Sequence, residues 1–321
     1  MPFSSAPGKI YLFGEHAVVY GEPAVPCAIG KRVSVSCSES DDNFISIQAP
    51  QIGVSDFSID FSESSLKSNL SNVEPHLHYI LTAIDLSLNF SETTLNGLDL
   101  FVESDLPLGA GLGSSAAVSV ATVDAVSRTC DVVRPLEQIA NLAHAVEQTV
   151  QGRASRADTF CSTMGGIVCV EGDHCNRLTY SNLSFTIGYD GGFGPTKELV
   201  SLVRNNKENY PFIDSIICAI GDVSKLGMVA LENQDLTTIG DLMNINHGLL
   251  SSIGVSSPSL DEMVWAARSS GALGAKLTGA GGAGCIVALD PNKSATSAIL
   301  STDSCESVFS VDISEQGLIR K

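Results

Sequence analysis

Residues 107–117 read Pro107-Leu108-Gly109-Ala110-Gly111-Leu112-Gly113-Ser114-Ser115-Ala116-Ala117, and an apolar segment suited to a helix follows at once. Glycine adopts the backbone conformations that a tight turn demands and lets backbone N–H groups come close to an anion. Ser114 stands where the helix is expected to begin, beside unpaired N–H groups and the positive end of the helix dipole. The stretch therefore predicts a cradle for nucleotide phosphates, with the serine hydroxyl free for a metal ion.

Two common phosphate-binding loops differ from this stretch in their spacing. A P-loop requires Gly-x-x-x-x-Gly-Lys-Ser/Thr, and no lysine lies between Lys67 and Lys197. The dinucleotide fingerprint Gly-x-Gly-x-x-Gly directly follows a strand, whereas Gly-x-Gly-x-Gly-Ser-Ser here follows a loop that contains proline. A loop whose glycines only turn a corner remains the alternative to phosphate binding.

The composition limits the class of protein. A chain of 321 residues, 44% of them hydrophobic, can bury a large core, and we expect two lobes of roughly 150 residues each. The formal net charge of −18 argues against nucleic acid or an anionic membrane as a partner. We find no apolar run of membrane-spanning length and no signal peptide. Nine scattered cysteines without a Cys-x-x-Cys pair predict reduced thiols in a cytoplasmic protein.

The hydrophobic pattern predicts an α+β fold in which mixed strands precede a half that is rich in helices. Strands are predicted at residues 4–12, 33–37, 44–47, 56–61, 98–103, 166–170, 185–189, 275–278, 285–289 and 307–312. Helices are predicted at residues 76–88, 114–127, 135–149, 196–206, 211–231, 236–251 and 259–270, with a further short helix ending near residue 300. The composition shifts at residues 171–182, which predicts domains at 1–172 and 173–321.

Two further glycine-bearing motifs lie near the start and the end of the chain. The first is Pro7-Gly8-Lys9-Ile10-Tyr11-Leu12-Phe13-Gly14-Glu15-His16-Ala17-Val18-Val19-Tyr20-Gly21, and the last is Lys276-Leu277-Thr278-Gly279-Ala280-Gly281-Gly282-Ala283-Gly284-Cys285. Three such motifs in this order and spacing resemble the GHMP kinase superfamily, and the first motif resembles its mevalonate kinase family. Residues 152–158, 196–200 and 243–247 extend the resemblance over almost the full length.

The resemblance implies a two-lobed GHMP kinase fold. Its N-terminal, ATP-binding lobe is expected to resemble ribosomal protein S5 domain 2, its C-terminal lobe to be ferredoxin-like, and its site to lie between them. It also implies that ATP, with Mg²⁺, phosphorylates the 5-hydroxyl of mevalonate to 5-phosphomevalonate, a step of isoprenoid precursor biosynthesis. A homodimer is implied as well.

The resemblance also implies roles for individual residues. The ten residues from Pro107 to Ala116 are expected to bind ATP, and Ser114 and Glu147 to hold Mg²⁺. Lys9 would neutralise the transferring phosphoryl group, and Asp158 would take the hydroxyl proton. The expected substrate-binding residues are Glu15, His16, Thr196 and Ala280.

Each of these residues also has an ordinary structural interpretation. An isolated lysine such as Lys9 is usually solvated, and a histidine such as His16 is often a buried structural residue. Glu147 follows Ile139 and Ala143 at helical spacing, which places it on an inward stripe where Mg²⁺ is a good partner; an exposed glutamate is the alternative. Asp158 and Thr196 would serve equally well as helix caps, and the glycines of residues 278–284 as a turn.

The chain departs from the family pattern at three places. Residues 152–158 read Gly-Arg-Ala-Ser-Arg-Ala-Asp, where the family often has Gly-x-Pro-Ser-Gly-x-Asp, so Arg153 and Arg156 are candidates for contact with a substrate carboxylate. Ala283 replaces a usual glycine. Gly194-Pro195 stands where relatives often carry Arg-Ser, which weakens the assignment of Thr196.

Two other functions compete with this interpretation. Related sugar kinases carry Gly-Glu-His-x-Asp-Tyr, and Val18 replaces that sugar-binding aspartate here, although phosphomevalonate kinase, mevalonate 3-kinase and diphosphate decarboxylase activities stay open. A non-catalytic, ligand-sensing member of the superfamily is the second alternative. Such proteins tend to lose catalytic groups, and Lys9, Ser114, Glu147 and Asp158 are all present.

Overall fold

The computed structural model describes residues 1–61, 75–89, 95–107, 109–152, 154–180, 183–194 and 196–321. These residues form twelve β-strands, nine α-helices and two 3₁₀ turns in mixed order, so the predicted α+β class is confirmed. Leu108, Arg153 and Pro195, which entered the predictions above, lie outside the described residues.

The first lobe is built on a six-stranded sheet. Its strands are β1 (Phe3–Phe13), β2 (Val25–Ser40), β3 (Phe44–Ala49), β4 (Val54–Asp60), β5 (Gly97–Ser104) and β12 (Ile319–Arg320). Their order across the sheet is β12-β1-β2-β5-β3-β4. Neighbouring strands are antiparallel except for β3 and β5, which run parallel. The buried side chains of β2 alternate with period two from Val33 to Cys37, as predicted.

Four helices cover this sheet: α1 (Pro75–Asn89), α2 (Ser114–Thr129), α3 (Leu136–Gln151) and α4 (Ala157–Met164). Helix α2 is buried from Ala116 to Ser127 because it packs on β1 and β2 with the other three helices around it. Its sequence is rich in alanine, serine and valine, and these small side chains allow close packing on all sides. This packing holds the first turn of α2 in place relative to β1 and β2.

The second lobe is built on a four-stranded antiparallel sheet. Its strands are β8 (Ser184–Tyr189), β9 (Gly274–Leu277), β10 (Cys285–Leu289) and β11 (Ser307–Asp312), in the order β11-β8-β10-β9. Its helices are α5 (Thr196–Asn209), α6 (Phe212–Glu232), α7 (Leu236–Ser252), α8 (Pro258–Ser269) and α9 (Ala295–Leu300). Helices α7 and α8 begin at side-chain caps, because Asp235 accepts a hydrogen bond from the Thr238 N–H and Ser257 accepts one from the Leu260 N–H.

A hairpin of β6 (Val168–Glu171) and β7 (His174–Arg177) separates the two lobes in sequence. The predicted boundary between residues 172 and 173 falls in its turn and stays a prediction. The end of the chain returns to the first lobe, where β12 pairs with β1. No described helix is long and apolar enough to cross a membrane.

The sequence pattern predicted most elements to within about three residues, and the elements that it missed are of three kinds. Helix α4 has only eight residues and was not among the predicted helices. Strand β7 has mostly exposed polar side chains, and β12 has only two residues, so neither has a hydrophobic repeat. The first half of β2, residues 25–29, is continuously buried, which removes the alternation that marks a half-exposed strand. Periodicity therefore located most of the amphipathic elements and missed short, exposed or fully buried ones.

Candidate active site

A cavity of about 760 Å³ lies where the two lobes meet. The first lobe contributes β1, the glycine loop, the start of α2, and parts of α3 and α4. The second lobe contributes the start of α5 and the loop after β9. The predicted site residues at its wall are Lys9, Glu15, His16, Gly109 to Ser115, Glu147, Asp158, Thr196 and Ala280. Of the described loop residues, Pro107 and Ala116 do not line the cavity, so their role in ATP binding stays a prediction.

The glycine loop has the backbone that its sequence predicts. Gly109, Gly111 and Gly113 have φ values of 66°, 78° and 76°, in the left-handed region that favours glycine. Gly113 is the N-cap of α2 and Ser114 its first residue, so the predicted helix start is confirmed. The first residues of α2 line the cavity, and the N–H groups at a helix N-terminus have no intrahelical partner, which is the arrangement that binds anions.

The glycine loops of the two lobes touch through their backbones. A Cβ placed on Gly279 would lie 3.0 Å from the carbonyl oxygen of Gly111, and one placed on Gly284 would lie 2.9 Å from that of Ala110. Side chains at these positions would push the loops apart, so the glycines do more than turn a corner. Ala283 is not among the described non-glycine residues with positive φ, which explains why alanine is tolerated there.

Lys9 and Asp158 form an ion pair at the cavity wall. The Lys9 Nζ lies 3.2 Å from Asp158 Oδ2, and the lysine side chain is 4% exposed while the aspartate is 25% exposed. Asp158 lies in the first turn of α4, and its other oxygen, Oδ1, accepts a hydrogen bond of 2.6 Å from the Tyr11 hydroxyl. The carboxylate thus contacts β1, and one side of it faces the cavity.

Glu147 is a buried carboxylate on the predicted inward stripe of α3, together with Ile139 and Ala143. Burial, and then the charge of Asp158, raise the pKa of Glu147 to about 8. The Ser115 hydroxyl donates a hydrogen bond of 3.0 Å to Glu147 Oε1, so the adjacent serine, and not Ser114, makes the direct contact. A carboxylate that is unfavourable as an isolated anion, with serine hydroxyls beside it, offers the hard oxygen donors that Mg²⁺ prefers. These residues therefore fit a divalent cation.

The described residues contain no cluster of three or more His, Cys, Asp or Glu side chains suited to a metal ion. A cation held by Glu147 and a serine would accordingly depend on other oxygen ligands. Phosphate oxygens of a nucleotide at the start of α2 would supply them.

Glu15 forms a buried ion pair with Lys276, and the Asn246 side chain donates to its other oxygen at 3.1 Å. Burial raises the pKa of Glu15 and lowers the pKa of Lys276, and each partially compensates the other. The carboxylate predicted to bind substrate is thus engaged within the protein, although it also lines the cavity. Lys276 and Asn246 lie in motifs that the sequence analysis quoted, but their pairing with Glu15 was missed.

His16 connects the first motif to the last loop. It has a φ of 60°, and its Nε2 lies 2.8 Å from the carbonyl oxygen of Ala280, so Nε2 carries the hydrogen and donates. Burial lowers the pKa of His16, which keeps the ring neutral. The structure therefore brings together two of the predicted substrate-binding residues, His16 and Ala280, at the cavity wall.

Thr196 is the first residue of α5, is exposed and lines the cavity. Lys197 and Arg204 of the same helix also line the cavity and were not predicted from the sequence. Arg156 instead points to a separate, smaller pocket, where it contacts Asp173 at 3.4 Å. The expected contact of Arg156 with a substrate carboxylate therefore finds no support in its position.

The family comparisons agree with this geometry. Residues 78–166 match the GHMP kinases N terminal domain, and residues 228–302 match the GHMP kinases C terminal family. Fold, glycine loop and interlobe cavity together define a GHMP kinase.

Individual proteins that are similar to this chain identify its family within the GHMP kinases. The mevalonate kinase of Thermococcus onnurineus is 42% identical over 98% of this chain and 97% of its own length. That of Pyrococcus horikoshii is 43% identical over 90% of this chain and 89% of its own length. The crystal structure of the Methanococcus jannaschii mevalonate kinase has a TM-score of 0.80 and 28% identity, and covers 97% of this chain and 98% of that one. The chain belongs to the mevalonate kinase family of GHMP kinases.

Replacing Gly113 by alanine is expected to displace Lys9. The added Cβ would lie 2.8 Å from Lys9 Cγ, so the lysine must move away from Asp158. A displacement of this size costs roughly 10- to 100-fold in kcat. Steady-state kinetics with thermal melting checks this expectation.

Gly53→Ala is the matched control. Gly53 has the same φ of 76° but nothing within 4 Å of an added Cβ, so it reports the backbone strain alone. If Gly113→Ala and Gly53→Ala have equal kcat, the contact with Lys9 does not matter for turnover.

Proposed function

We propose that this chain transfers the γ-phosphoryl group of ATP to the 5-hydroxyl of mevalonate, giving 5-phosphomevalonate and ADP. The observation that carries the proposal is the Lys9–Asp158 pair, 3.2 Å apart, beside the glycine loop that begins α2. An aspartate next to a lysine, within reach of a phosphate cradle, is the arrangement that phosphoryl transfer to an alcohol requires. The similarity to mevalonate kinases supports the choice of alcohol.

The reaction uses positioning and charge more than covalent chemistry. Backbone N–H groups of residues 109–115 hold the phosphates of ATP, and Lys9 offsets the charge of the transferring group. Asp158 accepts the proton of the 5-hydroxyl as that oxygen forms its bond to the γ-phosphorus. The bond between the γ-phosphorus and the bridging oxygen breaks, and ADP leaves with that oxygen.

Ser114 and Glu147 are the residues that would hold Mg²⁺. When bound, the ion supplies positive charge to the phosphates of the nucleotide. Burial of Glu147 makes its charge costly in the absence of a cation, which favours binding of the ion together with ATP.

The cavity wall suits a branched acid better than a sugar. Val18 and Val19 line it, and Val18 occupies the position at which related sugar kinases carry aspartate. An apolar wall can contact the methyl group of mevalonate, while a sugar hydroxyl there would lose its hydrogen-bond partner. The exposed cations Lys197 and Arg204 can attract the carboxylate of the acid.

We extend the proposal to assembly and location. The family resemblance supports a homodimer. None of the nine cysteines forms a disulfide in the described structure, and most are buried or half-buried, which supports a reducing, cytoplasmic environment.

Substrate choice is the direct test of the proposed reaction. In a coupled assay of ADP release, we expect turnover with mevalonate to exceed turnover with galactose, which has no methyl group to contact Val18, and with phosphomevalonate, whose 5-oxygen already carries a phosphoryl group. The same assay without an alcohol measures background ATP hydrolysis. Faster turnover with galactose or phosphomevalonate would reject mevalonate as the substrate.

Asp158→Asn tests the proton acceptor. The amide keeps the shape of the side chain but cannot take the proton, so kcat is expected to fall roughly 100- to 10,000-fold. Binding of ATP and mevalonate, measured by calorimetry, is expected to stay within a few-fold of wild type. Asp173→Asn, an exposed aspartate outside the cavity, is the control. Near-normal kcat in Asp158→Asn would remove the base assignment, and a folded variant that binds neither ligand would make Asp158 a structural residue.

Glu147→Gln tests the metal site. Loss of a charged oxygen ligand is expected to raise the Mg²⁺ concentration needed for half-maximal turnover, on the order of 10-fold, more than it weakens binding of metal-free ATP. Glu137→Gln, an exposed change in the first turn of the same helix, serves as the control. An unchanged Mg²⁺ dependence would show that Glu147 is not a ligand.

A further inference from the structure

Tyr11 touches both members of the Lys9–Asp158 pair. Lys9 and Tyr11 are two residues apart on β1, so their side chains leave the same face of the strand. The Tyr11 hydroxyl donates a hydrogen bond of 2.6 Å to Asp158 Oδ1, and the Lys9 Nζ lies 4.5 Å from the centre of the Tyr11 ring. The tyrosine is 6% exposed. No role was assigned to it from the sequence.

The second lobe fixes the backbone of Tyr11. Its N–H donates to the Thr278 Oγ1 at 2.8 Å, and its carbonyl oxygen accepts from the Lys276 Nζ at 3.4 Å. The residue that holds Asp158 is thus itself held by β9 and by the glycine loop that follows it. A hydrogen bond from such a fixed donor restricts the rotation of the carboxylate.

The two oxygens of Asp158 therefore have different surroundings. Oδ1 is occupied by Tyr11, and Oδ2 lies beside Lys9. Burial, and then the negative charge of Asp158, raise the pKa of Tyr11 well above its usual value, so the phenol stays protonated and its O–H donates to Asp158. Oδ2 is the oxygen left for the proton of the substrate hydroxyl.

We infer that Tyr11 is a positioning residue for the phosphoryl transfer: its hydroxyl orients Asp158 so that Oδ2, next to Lys9, faces the reacting hydroxyl. This inference rests on the proposed function, in which Asp158 is the base. It adds a residue to the catalytic arrangement that neither binds substrate nor touches the reacting atoms.

Tyr11→Phe removes only the hydroxyl and keeps the ring under Lys9. The expected result is a kcat roughly 10-fold lower, since a base that is free to rotate spends less time aligned. The KM values for ATP and mevalonate are expected to stay within about 3-fold, because Tyr11 has no role in ground-state binding. The melting temperature, measured in parallel, establishes that the variant is native.

Tyr180→Phe is the matched control. Its hydroxyl also donates to a carboxylate, that of Glu315, but the pair lies outside the cavity. This variant is expected to keep the wild-type kcat. An equal loss in Tyr180→Phe would attribute the effect to stability in general and overturn the inference.

A double-mutant cycle with Asp158→Asn distinguishes positioning from other effects. If Tyr11 acts through Asp158, the change Tyr11→Phe lowers kcat in the wild-type chain but by less than 2-fold in Asp158→Asn. The same 10-fold loss in both backgrounds, or wild-type kcat in Tyr11→Phe alone, would overturn the role of Tyr11. Near-normal kcat in the single variant Asp158→Asn is a separate result, which rejects the base of the proposed function and the inference with it.

Discussion

The buried ion pair between Glu15 and Lys276 joins the two lobes, and the geometry of the site depends on it. Both ions lose their water, which raises the pKa of Glu15 and lowers that of Lys276. Such a pair is favourable only when its geometry is good and its remaining donors and acceptors are used. Lys276 also donates to the Leu277 carbonyl at 2.7 Å, and Glu15 accepts from Asn246. The ion pair therefore fixes the end of β1 relative to β9. It thereby also fixes which residues of the two strands lie close to each other.

Three carboxylates near the cavity have three different surroundings, which separates their roles. Glu15 is paired with a buried lysine inside the protein. Asp158 is partly exposed and lies beside Lys9 at the cavity wall, and it is the carboxylate that we propose as the proton acceptor. Glu147 is buried with a serine hydroxyl for a partner, and its pKa is raised to about 8. Burial makes the charge of Glu147 costly, and for this reason we propose that a divalent cation binds there and not at Asp158.

Local patterns predicted most of the fold, and the family resemblance supplied the residues expected at the site, whereas the contacts between distant residues came from the structure. The glycine spacing predicted the turn before α2, and helical spacing predicted the inward position of Glu147. Neither pattern indicates that Glu15 pairs with a residue 261 positions later, or that Tyr11 reaches Asp158. Such pairs are set by how the lobes pack, and a single sequence carries no signal for that packing.

Because the chain has a net charge of −18, it can bind anions such as ATP and an organic acid only where the local electrostatic potential favours them. Of the described residues that line the cavity, the lysines and arginines are Lys9, Lys197 and Arg204, and Asp158 offsets part of the charge of the first. Backbone N–H groups at the start of α2 attract anions without adding a formal charge, so they work in an acidic protein. The left-handed glycines make these groups reachable, and contact between the two loops excludes side chains from the same space. We therefore expect the conformation of the loop, more than the number of cations, to set where phosphates bind.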